Sequence, residues 1–161
     1  MEVVIRKYQN SDLPSMIRIW NLVVDDANAF PQMEKLNEED AKIYFDFQTF
    51  TGVAIGEDQV LGLYILHPNN VGRCGHIANA SYAVCESYRG YHIGEKLVRH
   101  SMKMGREFGF SLLQFNAVVS TNDGAIHLYE RMGFHRVGVI PNGYLLSNGN
   151  YENIIIYYIE L

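Results

Sequence analysis

Two glycines and an arginine in one turn form the most chemically informative stretch of this sequence. Tyr88-Arg89-Gly90-Tyr91-His92-Ile93-Gly94 follows the apolar, β-prone run Ile77 to Val84 and leads into the helix-like run Glu95 to Phe108. A strand that enters a Gly-bearing turn and leaves as a helix points several backbone N–H groups one way, and the helix N-terminus adds partial positive charge. Such a cradle suits a pyrophosphate and implies a nucleotide-like cofactor. The Walker pattern ends in Gly-Lys-Ser/Thr, whereas Gly94 is followed by Glu95 and Lys96, so magnesium-nucleotide chemistry is disfavoured. The dinucleotide fingerprint needs the three glycines of G-x-G-x-x-G, and this segment supplies only Gly90 and Gly94.

Three further residues carry usable chemistry. Tyr129 is a phenol, ordinarily protonated at neutral pH, but it also lies in the stripe Ala125, Leu128, Met132, where a packed core tyrosine is the plainer reading. Asn79 and Asn116 sit inside strand-like runs, and asparagine is poor in strands. A buried amide without a partner costs on the order of 1–3 kcal/mol, so each must be hydrogen-bonded. Either they satisfy backbone at a bulge where two strands part, or they face a ligand slot.

The elements that must position these groups follow from the hydrophobic pattern. Glu2 to Arg6 is a short strand. Ser11 or Asp12 caps a helix with Pro14 in its first turn and apolar positions Leu13, Met16, Ile17, Trp20, Val23 and Val24. Asp25 to Pro31 reads as a loop, and Asn37 caps a second helix reaching about Gln48. Gly52 to Gly56 and Val60 to His67 form a hairpin through Glu57-Asp58-Gln59, Pro68 to Gly75 is loop, and His76 to Val84 leads to the turn. The helix after it places Leu97, Val98, Met102, Gly105 and Phe108 on one side, with basic residues crowding its C-terminal half. Then come strand Leu112 to Val119, helix Asp123 to Met132, strand Arg136 to Ile140, turn signals at Asn142-Gly143 and Asn148 to Asn150 around an irregular Tyr144 to Ser147, and a last strand Tyr151 to Leu161. The reading is one mixed α/β domain spanning residues 1–161.

With 161 residues, 48% hydrophobic content and net charge −5, the chain suits one compact domain and carries no electrostatic footprint for nucleic acid or anionic membrane. No apolar run approaches the ~20 residues of a membrane span, and the start MEVVIRKYQN lacks a signal-peptide pattern. Cys74 and Cys85 read as reduced thiols of a cytoplasmic protein, and their spacing gives no zinc site.

The turn resembles the acyl-CoA loop of the GCN5-related N-acetyltransferases, Arg/Gln-x-x-Gly-x-Gly/Ala: Arg89 fits the first position and Gly94 the last, while His92 stands where the family usually has its middle glycine. Asn122, Ala125, Tyr129, Glu130, Gly133 and Phe134 resemble the family's second signature, in the right order. The resemblance implies the acyl-CoA N-acyltransferase fold, a central mixed sheet splayed between two strands and flanked by helices. It implies acetyl-CoA as co-substrate, no metal, and direct attack of an amine on the thioester. Val84 then supplies a backbone N–H to the oxyanion, and Arg89, Gly90, Tyr91, His92, Ile93 and Gly94 hold the pyrophosphate. Asn122 contacts the pantetheine arm while capping its helix, and Tyr129 protonates the leaving thiolate. His76 to Ala80 and Gln114 to Asn116 resemble a branch acting on small amino or imino acids, which assigns Asn79 to substrate and Asn116 to catalysis.

The strand His76 to Val84 lacks the carboxylate that many members use as base. Deprotonating a lysine-like amine at pH 7 costs about 4.6 kcal/mol and an α-amine about 1.4, so a base-poor site suits an α-amino or similarly weak acceptor. Together with the strand asparagines and the resemblance to the small-amino-acid branch, this implies a small amine bearing a carboxylate, held between Asn79, Asn116 and the Asp25 to Phe30 loop. Asp25, Asp26 and Glu57 are the remaining candidate bases. A protein acetyltransferase, acting on an N-terminus or a lysine, is the alternative, and a non-catalytic CoA-binding module is another. A homodimer is left open.

Overall fold

The computed structural model describes residues 1–161. Its strands are β1 (Val4–Lys7), β2 (Phe50–Gly56), β3 (Gln59–Pro68), β4 (Ile77–Val84), β5 (Leu112–Val119), β6 (His135–Leu145) and β7 (Tyr151–Glu160). Its helices are α1 (Leu13–Asp26), α2 (Glu38–Phe47), α3 (Ile93–Glu107) and α4 (Asp123–Arg131). The strands form one sheet in the order β1-β2-β3-β4-β5-β7-β6. Every pairing is antiparallel except β4 with β5, which is parallel and confined to Ile77↔Leu112 and Ala78↔Leu113.

Side-chain alternation sends neighbouring strand residues to opposite faces. Val53, Leu63, Ile65 and Ala83 meet the helices α1 and α2 through Met16, Ile19, Trp20 and Phe45. Ala54, Tyr64, Leu66, Ala78 and Ala80 meet α3 through Ile93, Leu97 and Val98, and α4 packs against the same cluster. Both faces are covered, which is why β3 reads as an almost unbroken apolar run. No helix is long and apolar enough to cross a membrane.

Several local expectations hold. Glu57 and Asp58 both have positive φ (50° and 59°), as a tight two-residue hairpin turn requires, and the Asn37 side chain accepts the Asp40 N–H at 2.8 Å. Others are corrected. Asp12 does not cap α1; its carboxylate takes Arg6 at 2.7 and 3.0 Å and the Gln9 N–H at 2.7 Å. The helix α1 keeps Asp25 and Asp26 and stops at Ala27, whose φ of 49° turns the chain out of the helix. α3 spans Ile93–Glu107, so its first turn includes the Ile93 and Gly94 of the cradle. β6 runs on through Asn142-Gly143 to Leu145 because the turn signal is used as a bulge. Asn142 takes φ 56°, its N–H is held by the Asn153 side chain at 3.1 Å, and a Cβ on Gly143 would stand 2.5 Å from Ile154.

Candidate active site

The parting of β4 and β5 creates the site. Below Ala78 and Leu113 the two strands no longer pair, and β5 carries an irregularity between Phe115 and Val118 where it leaves β7. In an antiparallel ladder successive N–H groups point to opposite edges. The Cys85 N–H bonds Leu61 in β3 at 2.8 Å, so the Val84 N–H faces the other way, into the gap beside β5.

At one end of that gap stands the turn. After a short 3-10 turn (Glu86–Tyr88), Gly90 takes φ 88° and His92 φ 61° before α3 starts. Left-handed residues set among right-handed ones turn successive N–H groups inward to form an anion nest. His92 therefore keeps the backbone conformation that a glycine would supply, and histidine is among the residues enriched there. Its side chain is exposed, and the residue lines the cavity beside the turn. The first helical bond is Lys96 N–H to the His92 carbonyl, which leaves the N–H groups of Ile93, Gly94 and Glu95 free of helical partners. A Cβ on Gly94 would stand 3.6 Å from Leu128 and 3.9 Å from Val84, in the passage between helix and strand. These residues fit a pyrophosphate: unpaired donors, a bare glycine and a helix dipole converge.

The charges around the cradle are ordered. The Arg89 guanidinium lies 3.8 Å from Asp26 at the end of α1. Glu95, in the first turn of α3, is bound by Arg99 and Arg131 at 2.7 Å each, which hold it below the usual carboxylate range. Tyr91 is exposed and meets Tyr88 edge-on at 6.0 Å.

Along the gap, a cavity of about 300 Å³ extends from Gly94 on α3 to Phe30 and Pro31 in the α1–α2 loop, lined also by Asn79 to Tyr82 and Val84 on β4, Phe115 to Val119 on β5, and Leu128 and Tyr129 on α4. The Tyr129 ring packs on Phe115 at 4.4 Å and on Phe134 at 5.5 Å, so the core reading is right for the ring. The hydroxyl has no bonding partner in the chain. Burial, with Tyr157 adding to it, pushes this phenol well above its ordinary value, and it stays a proton-bearing donor at neutral pH. Asn122 caps α4 through the Ala125 N–H at 3.3 Å and lines the cavity as well.

The two strand asparagines part company. Asn79 is half-buried and donates to the Gln114 carbonyl at 2.9 Å, tying β4 to β5 at the point where their ladder stops. Asn116, expected inside a buried run, is exposed, because the β5 irregularity swings it out. It sits at the cavity's edge, accepting from Gln114 at 2.9 Å and donating to Asn69 at 2.6 Å.

None of the three candidate bases lines this cavity. Asp25 pairs with Lys35 at 3.5 Å, Asp26 faces Arg89, and Glu57 is exposed in the β2–β3 turn. Sequence reasoning missed Tyr144, whose buried hydroxyl donates to the Phe30 carbonyl at 2.6 Å and pins the α1–α2 loop. It also missed the Asn21 side chain, which clamps both backbone groups of Leu36 at 2.9 and 2.8 Å. No local pattern announces either contact.

A parallel strand pair that parts over an anion cradle is the frame of the acyl-CoA N-acyltransferase class. The model of the Acetyltransferase (GNAT) family matches residues 16–134, and the chain belongs to that family. It is similar to N-acetyltransferase aca1 of Schizosaccharomyces pombe, 36% identical over 99 residues, which is 61% of this chain but 47% of that protein. The matched region thus spans about half the length of that relative. A GCN5-related N-acetyltransferase from Kribbella flavida superposes with a TM-score of 0.91 at 27% identity, covering 99% of this chain and 98% of the other. A phosphinothricin acetyltransferase from Sinorhizobium meliloti, solved with acetyl-CoA, shares the fold with a TM-score of 0.91 at 18% identity, covering 100% and 89%.

Proposed function

We propose that this chain transfers an acetyl group from acetyl-CoA to the amine of a small, amino-acid-like molecule in the cytoplasm. The observation that carries the reading is the gap between β4 and β5, with an unpaired Val84 N–H facing it, an anion cradle at one end and a small cavity along it. In this reading Arg89 to Gly94 and the first turn of α3 hold the pyrophosphate, while the parted edges of β4 and β5 grip the pantetheine arm by strand-like hydrogen bonding. Asn122 borders the arm. The Val84 N–H meets the oxygen that becomes negative as nitrogen bonds to the thioester carbon. When the carbon–sulfur bond breaks, Tyr129 offers its proton to the thiolate; the same dry surroundings raise both groups, so donor and acceptor remain matched. Asn79 and Asn116 contact the acceptor. The pinned Phe30 and Pro31 narrow the cavity to the size of a small molecule, and volumes near 300 Å³ are at the low end of ligand pockets.

A screen for thiol release with free amino-acid-like amines against peptides tests this. Turnover of the small amines supports it. Robust turnover of lysine-containing or N-terminal peptides alone would replace it with a protein acetyltransferase.

A further inference from the structure

The acceptor cavity is lined by no aspartate, glutamate, histidine, lysine or arginine. Its titratable lining groups are the phenols of Tyr82 on β4 and Tyr129 on α4. Burial pushes both up, and the Tyr82 hydroxyl is engaged with Ser101 at 2.7 Å. Charged side chains begin in the adjoining cavity beside the turn, at Asp26, Arg89, Glu95 and Arg131, where Arg89 and Asp26 face each other and Glu95 binds Arg131.

Among the strand amides, Asn79 favours one kind of partner. Asn79 must turn its NH2 toward the Gln114 carbonyl, since a carbonyl can only accept. Its own oxygen accepts nothing in the chain and is not sealed from the cavity. Asn116 gives its NH2 to Asn69. The Asn116 oxygen already accepts from Gln114, so it is Asn79 that offers a free acceptor oxygen to a ligand N–H, and a carboxylate would find no cation in this lining.

We infer that the acceptor is an uncharged, weakly basic amine without a free carboxylate, bound through its N–H to the Asn79 side-chain oxygen. The inference rests on the acetyl-transfer reading and narrows its substrate. Proton balance supports it. When a neutral amine attacks, the N–C bond forms and the C–S bond breaks; sulfur takes the Tyr129 proton, and the one proton that nitrogen loses restores the phenol, so the balance closes. An ammonium would bring a second proton, and no ionisable base in this cavity takes it. The neutral form must therefore come from solution. At pH 7 about one in ten α-amines is neutral, against roughly one lysine-like amine in 2,500.

The test measures kcat/KM for alaninamide, alanine and n-butylamine with acetyl-CoA between pH 7 and 9, each corrected to its free-amine fraction. Calorimetry of acetyl-CoA binding is run alongside. Alaninamide should be turned over, and alanine should have a corrected kcat/KM at least about tenfold lower. The uncorrected value for n-butylamine should climb about tenfold per pH unit, following the amine's own ionisation. Alanine equal to or better than alaninamide overturns the inference, as does a flat n-butylamine profile, which would require a base within the chain. No turnover of any amine by protein that binds acetyl-CoA also overturns it while leaving the cofactor site standing. Failure to bind acetyl-CoA overturns the acetyl-transfer reading itself.

Discussion

In the proposed reading, the slot between β4 and β5 is made of backbone at its cofactor end and of side chains at its acceptor end. Gly90 and His92 in left-handed conformation and the free N–H groups of α3 build the first. Asn79, Asn116, Phe30 and Tyr129 build the second. The cofactor end is ringed by ion pairs such as Arg89–Asp26 and Glu95–Arg131, whereas ionised side chains are absent from the acceptor lining. Backbone recognition tolerates sequence change as long as the dihedral angles persist. Side-chain recognition does not, so one family can keep its cofactor and vary its acceptor.

The largest effect expected from a single change falls where the two ends meet. Tyr129→Phe should lower kcat by about 10²-fold or more with acetyl-CoA binding nearly intact, measured by steady-state kinetics and calorimetry. An unaltered kcat, with chemistry shown to be rate-limiting, would return Tyr129 to the core. Asn79→Ala comes next and sharpens the division of labour. The acceptor KM should rise roughly three- to tenfold, as loss of one neutral hydrogen bond does, while the acetyl-CoA KM hardly moves. A shift in the acetyl-CoA KM instead would move Asn79 to the cofactor end.

How much of each end was legible follows from this division. The cofactor end rests on local order: strand, Gly-bearing turn, amphipathic helix, then β5 and the Asn122-capped α4, each with its own period or cap. β5 falls at Leu112–Val119 as its pattern requires. The acceptor end rests on contacts between segments far apart in the chain. Tyr144 reaches Phe30 across 114 positions. The Asn142-Gly143 signal, which favours a turn, is overruled by pairing with β7 and becomes a bulge. The exposure of Asn116 depends on an irregularity in β5 that no alternation of apolar residues encodes.

Smaller effects probe the supports of the two ends. Tyr144→Phe leaves the buried Phe30 carbonyl without its donor. It should cost about 1 kcal/mol, read as a fall in Tm of roughly 2–4 °C, and should raise the acceptor KM more than that for acetyl-CoA. An unchanged Tm would mean that packing of Phe30 on Trp20, at 4.4 Å, holds the loop unaided. His92→Gly should matter least. Relief of the left-handed strain and the greater freedom of glycine in the unfolded chain nearly cancel, so stability should change by less than about 1 kcal/mol and acetyl-CoA affinity by less than about twofold. A large loss of affinity would assign the imidazole itself to the cofactor.

The central claim, that backbone at the start of α3 holds acetyl-CoA, is tested most directly by calorimetric titration of the parent chain and of Gly94→Pro. Proline is tolerated in a first helical turn but removes the N–H that the cradle uses. The account predicts saturable one-to-one binding by the parent chain and a loss of about tenfold or more in a variant with an unchanged circular-dichroism spectrum. Equal affinity in the folded variant, or no binding by the parent chain, would contradict it.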